Sequence, residues 1–386
     1  MIIQSEQIAM GLGEPARRLQ PSPVLTPFLK WPGGKSQELP SIAAVAPELA
    51  GRFIDPFVGG GSVLLAVPSN VPAAVNDACR DLIELYLAGA RSAEGFKHAA
   101  LALAAAWDGL TRRTALIDDL VRVFIEGDSR PAQHWLSDHG AALEALLEPA
   151  GAGFAERFVR RAGRDLPGKF RRIKGVEAKV GRVLSPTDLR ANIEGAVRSA
   201  FYMSVRARYN EARLAGRFDD TRTADFLFLR EFTYAAMFRF NALDEFNVPY
   251  GGVSYNRKSL SAKLELLYEV RMLDRLANTS FFCGDFEPFL ASVSPAPDDF
   301  VFIDPPYDSD FSDYDNRAFG GSDQARLRDA LESLPSKVMV VIKDTPMIRR
   351  LYAADRWQVN SAPKTYMWTI KSRNDRATNH LTITNY

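Results

Sequence analysis

Three short apolar stretches each stop at an acid, and no other feature limits the possible folds as strongly. Phe53-Ile54 ends at Asp55, Ala73-Ala74-Val75 ends at Asn76-Asp77, and Phe300 to Ile303 ends at Asp304. Apolar runs of this length, bounded by turn residues, read as strands buried on both faces. Helical patterns stand beside them. "GRFIDPFVGGGSVLLAV" (51–67) reads as strand, glycine turn and helix. "AAVNDACRDLIELYLAG" (73–89) reads as a strand and an amphipathic helix with Leu82, Leu85 and Tyr86 on one side. These are consecutive βα units of a doubly wound α/β sheet. Further strands are expected in "NTSFFCGDF", "DDFVFIDPPY", "KVMVVIKD" and "TNHLTITNY".

The sheet pattern is interrupted. Residues 1–26 are polar with scattered prolines and read as a loose lead-in. From about 91 to 200 the chain turns Ala/Leu-rich and helical, as in "HAALALAAAWDGL" and "GAALEALLEPAG". Residues 226–258 begin helical and become a polar, aromatic-rich loop with Gly251-Gly252. The expected division is therefore a sheet-bearing domain from 27–90 and 266–386, interrupted by a helical and loop region at 91–265. At 386 residues, with 46% hydrophobic and 25% charged content, the chain has room for two or three domains and a large core.

Charge and cysteine content exclude several classes. The two cysteines, Cys79 and Cys283, form no Cys-x-x-Cys pair, and the four histidines are scattered, so no metal site is expected. No signal pattern opens the chain and no apolar run approaches the roughly 20 residues that cross a bilayer. A cytoplasmic, membrane-free protein is expected. Net charge is only +1, but cations crowd between Arg157 and Arg182. That run reads equally as a phosphate-contacting surface or as a solvated helix face.

The glycine turn and the second acid belong together. Gly59, Gly60 and Gly61 stand where a strand gives way, and glycine lets backbone approach a ligand closely. Asp77 lies 22 positions beyond Asp55, at the end of the next strand, where an acid accepts hydrogen bonds from both ribose hydroxyls. A nucleoside-containing ligand is the expectation. "WPGGKS" (31–36) is not a phosphate-binding Walker loop, because that spacing needs glycine at position 29, which is Leu29. Trp31 and Lys35 suit a cofactor carrying a sulfonium and a carboxylate, through cation–π contact and charge pairing.

Asp304-Pro305-Pro306-Tyr307 follows the third run. Residues before proline are held extended, so Asp304 and Pro305 point forward from the sheet. Each proline lacks an N–H but keeps its carbonyl. An acid beside a free carbonyl is a double acceptor, suited to an exocyclic amino group. Two such bonds favour the pyramidal nitrogen whose lone pair can attack a methyl. Tyr307 is placed to stack on a base, worth roughly 1–3 kcal/mol. The plain alternative is a proline-ended strand, but this string arises by chance in roughly one such chain in several hundred.

Taken in order, "FLKWPGGK", "DPFVGGGS", "VNDACRDLIELY", "FRFNALDEFNVPYGG", "FFCGDFEPFL", "FIDPPY" and "HLTITNY" resemble the Dam-type N6-adenine DNA methyltransferases. The resemblance covers most of the chain outside roughly 91–200. It implies a Rossmann-like doubly wound methyltransferase sheet interrupted by a helical target-recognition domain. It also implies S-adenosyl-L-methionine as donor, held by Trp31, Lys35, Asp55, Pro56, Phe57, Gly59, Gly61, Asp77, Asp285, Phe286 and Asp304. Asp304, Pro305, Pro306 and Tyr307 become the catalytic motif around an adenine extruded from the duplex. Tyr234, Arg239, Asn241, Asn247 and Tyr250 are expected on DNA, with Arg239 reading guanine and Tyr234 inserting beside the unpaired base.

Two departures from that family stand out. It often has Asn-Gly after the inserted aromatic, where this chain has Ala235-Ala236, and often glycine where this chain has Asp244. A GATC target is therefore not assumed. The resemblance implies double-stranded DNA as partner and allows a cognate restriction enzyme. N4-cytosine methylation, RNA adenine methylation and a catalytically silent DNA-binding regulator remain as alternatives at the level of sequence.

Overall fold

Strands whose two faces are both apolar build the centre of the molecule. In a computed structural model, residues 17–22, 25–112, 114–127, 130–306, 319–365 and 377–386 are described. The strands are β1 (Phe53–Asp55), β2 (Ala73–Asp77), β3 (Thr279–Cys283), β4 (Phe300–Ile303), β5 (Lys337–Lys343), β6 (Gln358–Thr365) and β7 (Ala377–Thr384). They form one sheet in the order β3-β2-β1-β4-β5-β7-β6. Neighbouring strands from β3 across to β5 are parallel, whereas β7 runs antiparallel to both β5 and β6. Phe53, Phe300, Phe302, Met339 and Val341 enter one core, and Ile54, Val301, Ile303, Val338, Val340 and Ile342 enter the other. Alternate residues thus face opposite layers, as a sheet covered on both sides requires.

Helices cover both faces. In chain order they are α1 (Leu39–Val45), α2 (Arg80–Ala90), α3 (Glu94–Arg112), α4 (Thr114–Ile125), α5 (Pro131–Asp138), α6 (Gly140–Leu147) and α7 (Phe154–Val180). Then follow α8 (Pro186–Leu214), α9 (Asp220–Phe232), α10 (Ser261–Leu267), α11 (Val270–Ala277), α12 (Phe286–Val293), α13 (Gly321–Glu332) and α14 (Pro346–Leu351). Residues of α12, α13 and α14 pack on the second core, whereas α2, α3, α8 and α9 share the first. This is the doubly wound α/β arrangement expected from the strand–helix alternation, with the helical interruption on one face.

Two local expectations change. After Gly61 the chain forms only a single 3-10 turn, Leu64–Ala66, rather than a helix. Pro68 follows closely, and a proline restricts the residue before it and cannot donate the next helical bond. The strand β6 was not expected, because "QVNSAPKT" is polar and carries Pro363. It is an edge strand, where one side of the backbone needs no partner and proline is tolerated.

One buried carboxylate joins the sheet to the helical layer. Asp81 of α2 is 3% exposed. Arg222 of α9 donates to its two oxygens at 2.7 and 2.8 Å, and the Tyr209 hydroxyl of α8 donates to Oδ2 at 2.8 Å. A bidentate guanidinium and a hydroxyl compensate a charge that would otherwise be strongly disfavoured in a core.

The departures noted in the sequence fall on unusual backbone. Ala235, Ala236 and Asp244 have φ of 51°, 55° and 59°. Left-handed geometry favours glycine and asparagine and costs other residues about 1–2 kcal/mol. The turn conformation is kept with less suitable residues. Replacing Ala236 by glycine is therefore expected to raise stability by about 1 kcal/mol, the relief being partly offset by glycine's greater unfolded freedom. Asp81→Ala, which strands Arg222 in the core, is expected to cost about 3–5 kcal/mol. Denaturant melts of the two variants beside the parent protein test both, and an unchanged Asp81→Ala midpoint would remove the joint described above.

Candidate active site

In an open α/β sheet a crevice forms where neighbouring strands lead off in opposite directions. Here that point lies between β1 and β4, since β2 and β3 extend one way and β5 the other. Asp55 ends β1, Asp77 ends β2, and Asp304 follows the last residue of β4. Parallel pairing puts all three at the same edge of the sheet. The three acids singled out in the sequence are thus brought together.

Their surroundings differ. Asp55 is 3% exposed, and its Oδ1 accepts the Phe57 N–H at 2.9 Å. Burial pushes its carboxyl well above the ordinary range, with the nearby charges of Asp304 and Asp77 adding to the effect. Asp77 is half-buried and accepts backbone N–H groups on both oxygens, Gly59 at 3.0 Å and Cys79 at 2.9 Å. The neighbouring Asn76, not anticipated as part of the site, donates to the Pro56 carbonyl at 3.1 Å and to that of Gly284 at 2.9 Å. It ties the loops after β1 and β3 to the end of β2.

Asp304 is paired with Lys35. The ammonium lies 2.5 Å from Asp304 Oδ1 and also donates to the Gly33 carbonyl at 3.0 Å. Lys35 is 1% exposed, and its backbone N–H donates to Ser62 Oγ at 2.9 Å. Burial raises the Asp304 carboxyl, and Lys35 is the strongest influence in the opposite direction. Glu38, bonded to His380 at 2.8 Å, adds negative potential, while His380 opposes it. Lys35, expected on a cofactor carboxylate, is here bonded to the acid of the strand tip.

Beyond Asp304 the chain is held from behind. Gln324 of α13, fully buried, donates to the Pro306 carbonyl at 3.0 Å. No sequence signal pointed to Gln324. Tyr307, together with Asp308, Asp310, Asp313 and Asp315, lies outside the described residues.

The glycine turn serves the protein's own aromatics. A Cβ at Gly59 would stand 2.8 Å from the Trp31 ring, one at Gly60 2.9 Å from the Trp31 Cβ, and one at Gly61 2.6 Å from the Tyr86 hydroxyl. Tyr86 donates to the Gly59 carbonyl at 3.0 Å. The glycines therefore admit side chains on that side, rather than a ligand alone. On the outer side, Phe57, Phe286 and Phe319 form an aromatic group with centroids 5.6–5.9 Å apart. Asp285 caps α12 by accepting the Glu287 N–H at 2.9 Å and pairs with Arg326 at 3.0 Å.

The expected DNA-facing residues separate into two sets. Tyr234 is 52% exposed, and Arg239 is exposed with its Nε 3.3 Å from Asn247 Oδ1. Tyr250 faces inward, its hydroxyl donating to Asn256 Oδ1 at 3.0 Å, and burial pushes that hydroxyl far above its ordinary pKa. Asn241 spends its side chain within the loop, on Glu245 and on the Leu243 N–H. Among the described residues no group of three or more His, Cys, Asp or Glu is placed to hold a metal, and no helix is long and apolar enough to cross a membrane.

Comparison with known proteins bears on this geometry. The chain is 23% identical over 371 residues to the type II methyltransferase M1.LlaDCHI of Lactococcus lactis subsp. cremoris, covering 94% of this chain and 96% of that one. It is 32% identical over 167 residues to the retron Ec67 DNA adenine methylase of Escherichia coli, covering 42% and 55%. It is 33% identical over 165 residues to the type II methyltransferase M.CviBI of Paramecium bursaria Chlorella virus NC1A, covering 42% and 60%. The chain thus spans little more than half the length of these last two. The model of D12 class N6 adenine-specific DNA methyltransferases matches residues 31–106 and 184–365, which include Asp55, Asp77 and Asp304. With most of its length matched, and its strand-tip acids inside the matched blocks, the chain belongs to the D12 class of N6 adenine-specific DNA methyltransferases.

Proposed function

We propose that the crevice between β1 and β4 methylates the N6 amino group of an adenine extruded from duplex DNA. Membership of the class implies methylation dependent on S-adenosylmethionine. The observation that carries the site assignment is the pair of buried Lys35 with half-buried Asp304 at the sheet's switch point, with the Pro305 carbonyl next in the chain. The division of labour proposed is a catalytic part at 27–90 and 266–386, with 91–265 meeting DNA.

The chemistry of the groups present fits the donor. Asp77 ends β2 beside the glycine turn, where a carboxylate would meet the ribose hydroxyls, the Phe57–Phe286 group offers an apolar slot for a purine, and Asp285 caps the helix beside it. Trp31, with Arg230 over its ring at 4.9 Å, borders the glycine turn. When bound, the donor supplies an electrophilic methyl on sulfonium. The chain's own residues do the rest. Asp304 and the Pro305 carbonyl accept both amino hydrogens, which shifts lone-pair density on the nitrogen toward the methyl. Lys35 occupies Oδ1, leaving Oδ2 for the amine. A carboxyl raised by burial is also a better acceptor for the proton that the amine gives up.

Extrusion costs a few kcal/mol of stacking and pairing. Tyr234, exposed beside the left-handed turn at Ala235 and Ala236, would fill the vacated space. Arg239, positioned by Asn247, is the candidate reader of guanine. Tyr250 and Asn241 support this loop from within.

Expression in a methylation-free host, followed by long-read sequencing, reports base and context together. N6-methyladenine in one recurrent context is the expected result, and unmodified adenine throughout would overturn the reading. Asp304→Ala is expected to lower transfer at least about 10²-fold while leaving DNA binding largely intact. The pH profile gives an independent check. Asp304 must be ionised to accept the amine, so activity should fall as pH drops through a carboxyl raised above the ordinary range. Because Lys35 draws that carboxyl down, Lys35→Gln should move the acid limb to higher pH. An acid limb left in place would detach Lys35 from this role.

A further inference from the structure

The family model passes from residue 106 to residue 184, leaving α4 to α7 outside its match. The cation-rich run noted in the sequence lies on α7, a helix of 27 residues and about 40 Å. Its two halves differ. In the first half the arginines are satisfied: Arg157 by Glu211 at 2.6 Å, Arg160 by Glu156, Arg161 by Asp165, and Arg164 by Asp165 at 3.2 Å. In the second half Arg171, Arg172 and Lys179 are exposed and make no ion pair among the described residues, and neither does Arg182 just beyond the helix. The acid of this half, Glu177, accepts the Leu184 N–H at 3.0 Å.

The helix dipole accounts for a cation in the last turn, which covers Lys179 but not Arg171 and Arg172 two turns earlier. Burial lowers the Lys169 ammonium, and Arg172 lowers it further. Gly168 and Gly175 lie one turn to either side of Arg171 and Arg172 on the same face. A Cβ at Gly175 would meet nothing within 4 Å, and one at Gly168 only the Arg171 guanidinium at 3.9 Å. Helical glycine costs about 1 kcal/mol relative to alanine, and the chain's own packing gives no reason for it here. Missing side chains between unneutralised cations suit a close-approaching polyanion.

We propose that the C-terminal half of α7 binds the phosphate backbone of the duplex flanking the methylated site. The inference rests on the reading of duplex DNA as substrate. Placement agrees with it. The helix α8 runs along the recognition segment, with Arg213 donating to Asp244, Asn210 to the Phe246 carbonyl, Arg206 to the Val248 carbonyl, and the Ala191 carbonyl accepting from Asn256. On its other side α8 packs against α7, as the Arg157–Glu211 pair marks. At least one helix diameter, about 10 Å, lies between the two surfaces, and Arg171 stands about four turns further along α7 from Arg157, so the duplex would reach the cations more than about three base pairs beyond the recognised sequence. Such contacts are independent of sequence.

The test compares the parent protein with an Arg171→Ala/Arg172→Ala/Lys179→Ala variant on two duplexes sharing the target found by sequencing. One has three flanking base pairs on each side and the other fifteen. On the long duplex the variant is expected to bind at least about tenfold more weakly, with a salt slope shallower by about 2–3. On the short duplex, binding and saturated turnover should match the parent, and an Arg171→Lys/Arg172→Lys variant should keep most of the long-duplex affinity. Equal affinity and salt slope for parent and alanine variant on the long duplex would overturn the proposal, as would an equal loss on both duplexes. Failure of the underlying reading looks different: the parent itself would methylate neither duplex.

Discussion

The Lys35–Asp304 pair is the interaction on which the rest of the site depends. A carboxylate at the switch point of a parallel sheet is surrounded by strand ends and loops, and an ion left alone there is disfavoured by several kcal/mol. Lys35 compensates that charge, and in doing so draws the segment before β1 across the crevice to the tip of β4. The same segment is fastened at Ser62 and lays Trp31 against Gly59 and Gly60. Removing Asp304 would take the carboxylate from a buried ammonium, and removing Lys35 would leave a half-buried carboxylate without its ammonium.

The acids are arranged at a cost to stability. Asp55 and Asp304 both bind a proton more tightly when folded than in water, because burial disfavours their charged forms. Carboxyls of this kind favour the fold most below their unfolded pKa and lose that contribution as pH rises through the folded one. The cost suits the proposed chemistry, since an acid with raised proton affinity is a better acceptor. At Asp81, by contrast, Arg222 and Tyr209 supply the partners that a buried carboxylate needs.

The helical layer is joined to the site through a second buried cation. Arg230, at the end of α9, donates to the Lys30 carbonyl at 3.1 Å and to the Ala236 carbonyl at 3.1 Å. Its guanidinium lies over both the Trp31 and Phe238 rings, 4.9 and 4.8 Å from their centroids. The segment that borders the glycine turn and the turn that presents Tyr234 are therefore set by one side chain. Left-handed alanines at 235 and 236 are tolerated within that frame because the surrounding bonds over-determine the turn.

The sequence by itself determined the sheet's character and the location of its acids. Buried parallel strands leave short apolar runs, and the residue that ends each run lies at a strand tip whatever the remaining fold does. Asp55, Asp77 and Asp304 were legible for that reason. Edge strand β6 was not, because an edge needs no apolar signature. Only the tertiary structure decided partnerships across distance: Lys35 with Asp304, 269 positions apart, and Gln324 with the Pro306 carbonyl. It also turned Tyr250 and Asn241 inward, gave the glycines to Trp31 and Tyr86, and separated the paired half of α7 from the unpaired half. Pattern along a chain records which way a residue faces within its own element. What that residue meets depends on how the elements close on one another.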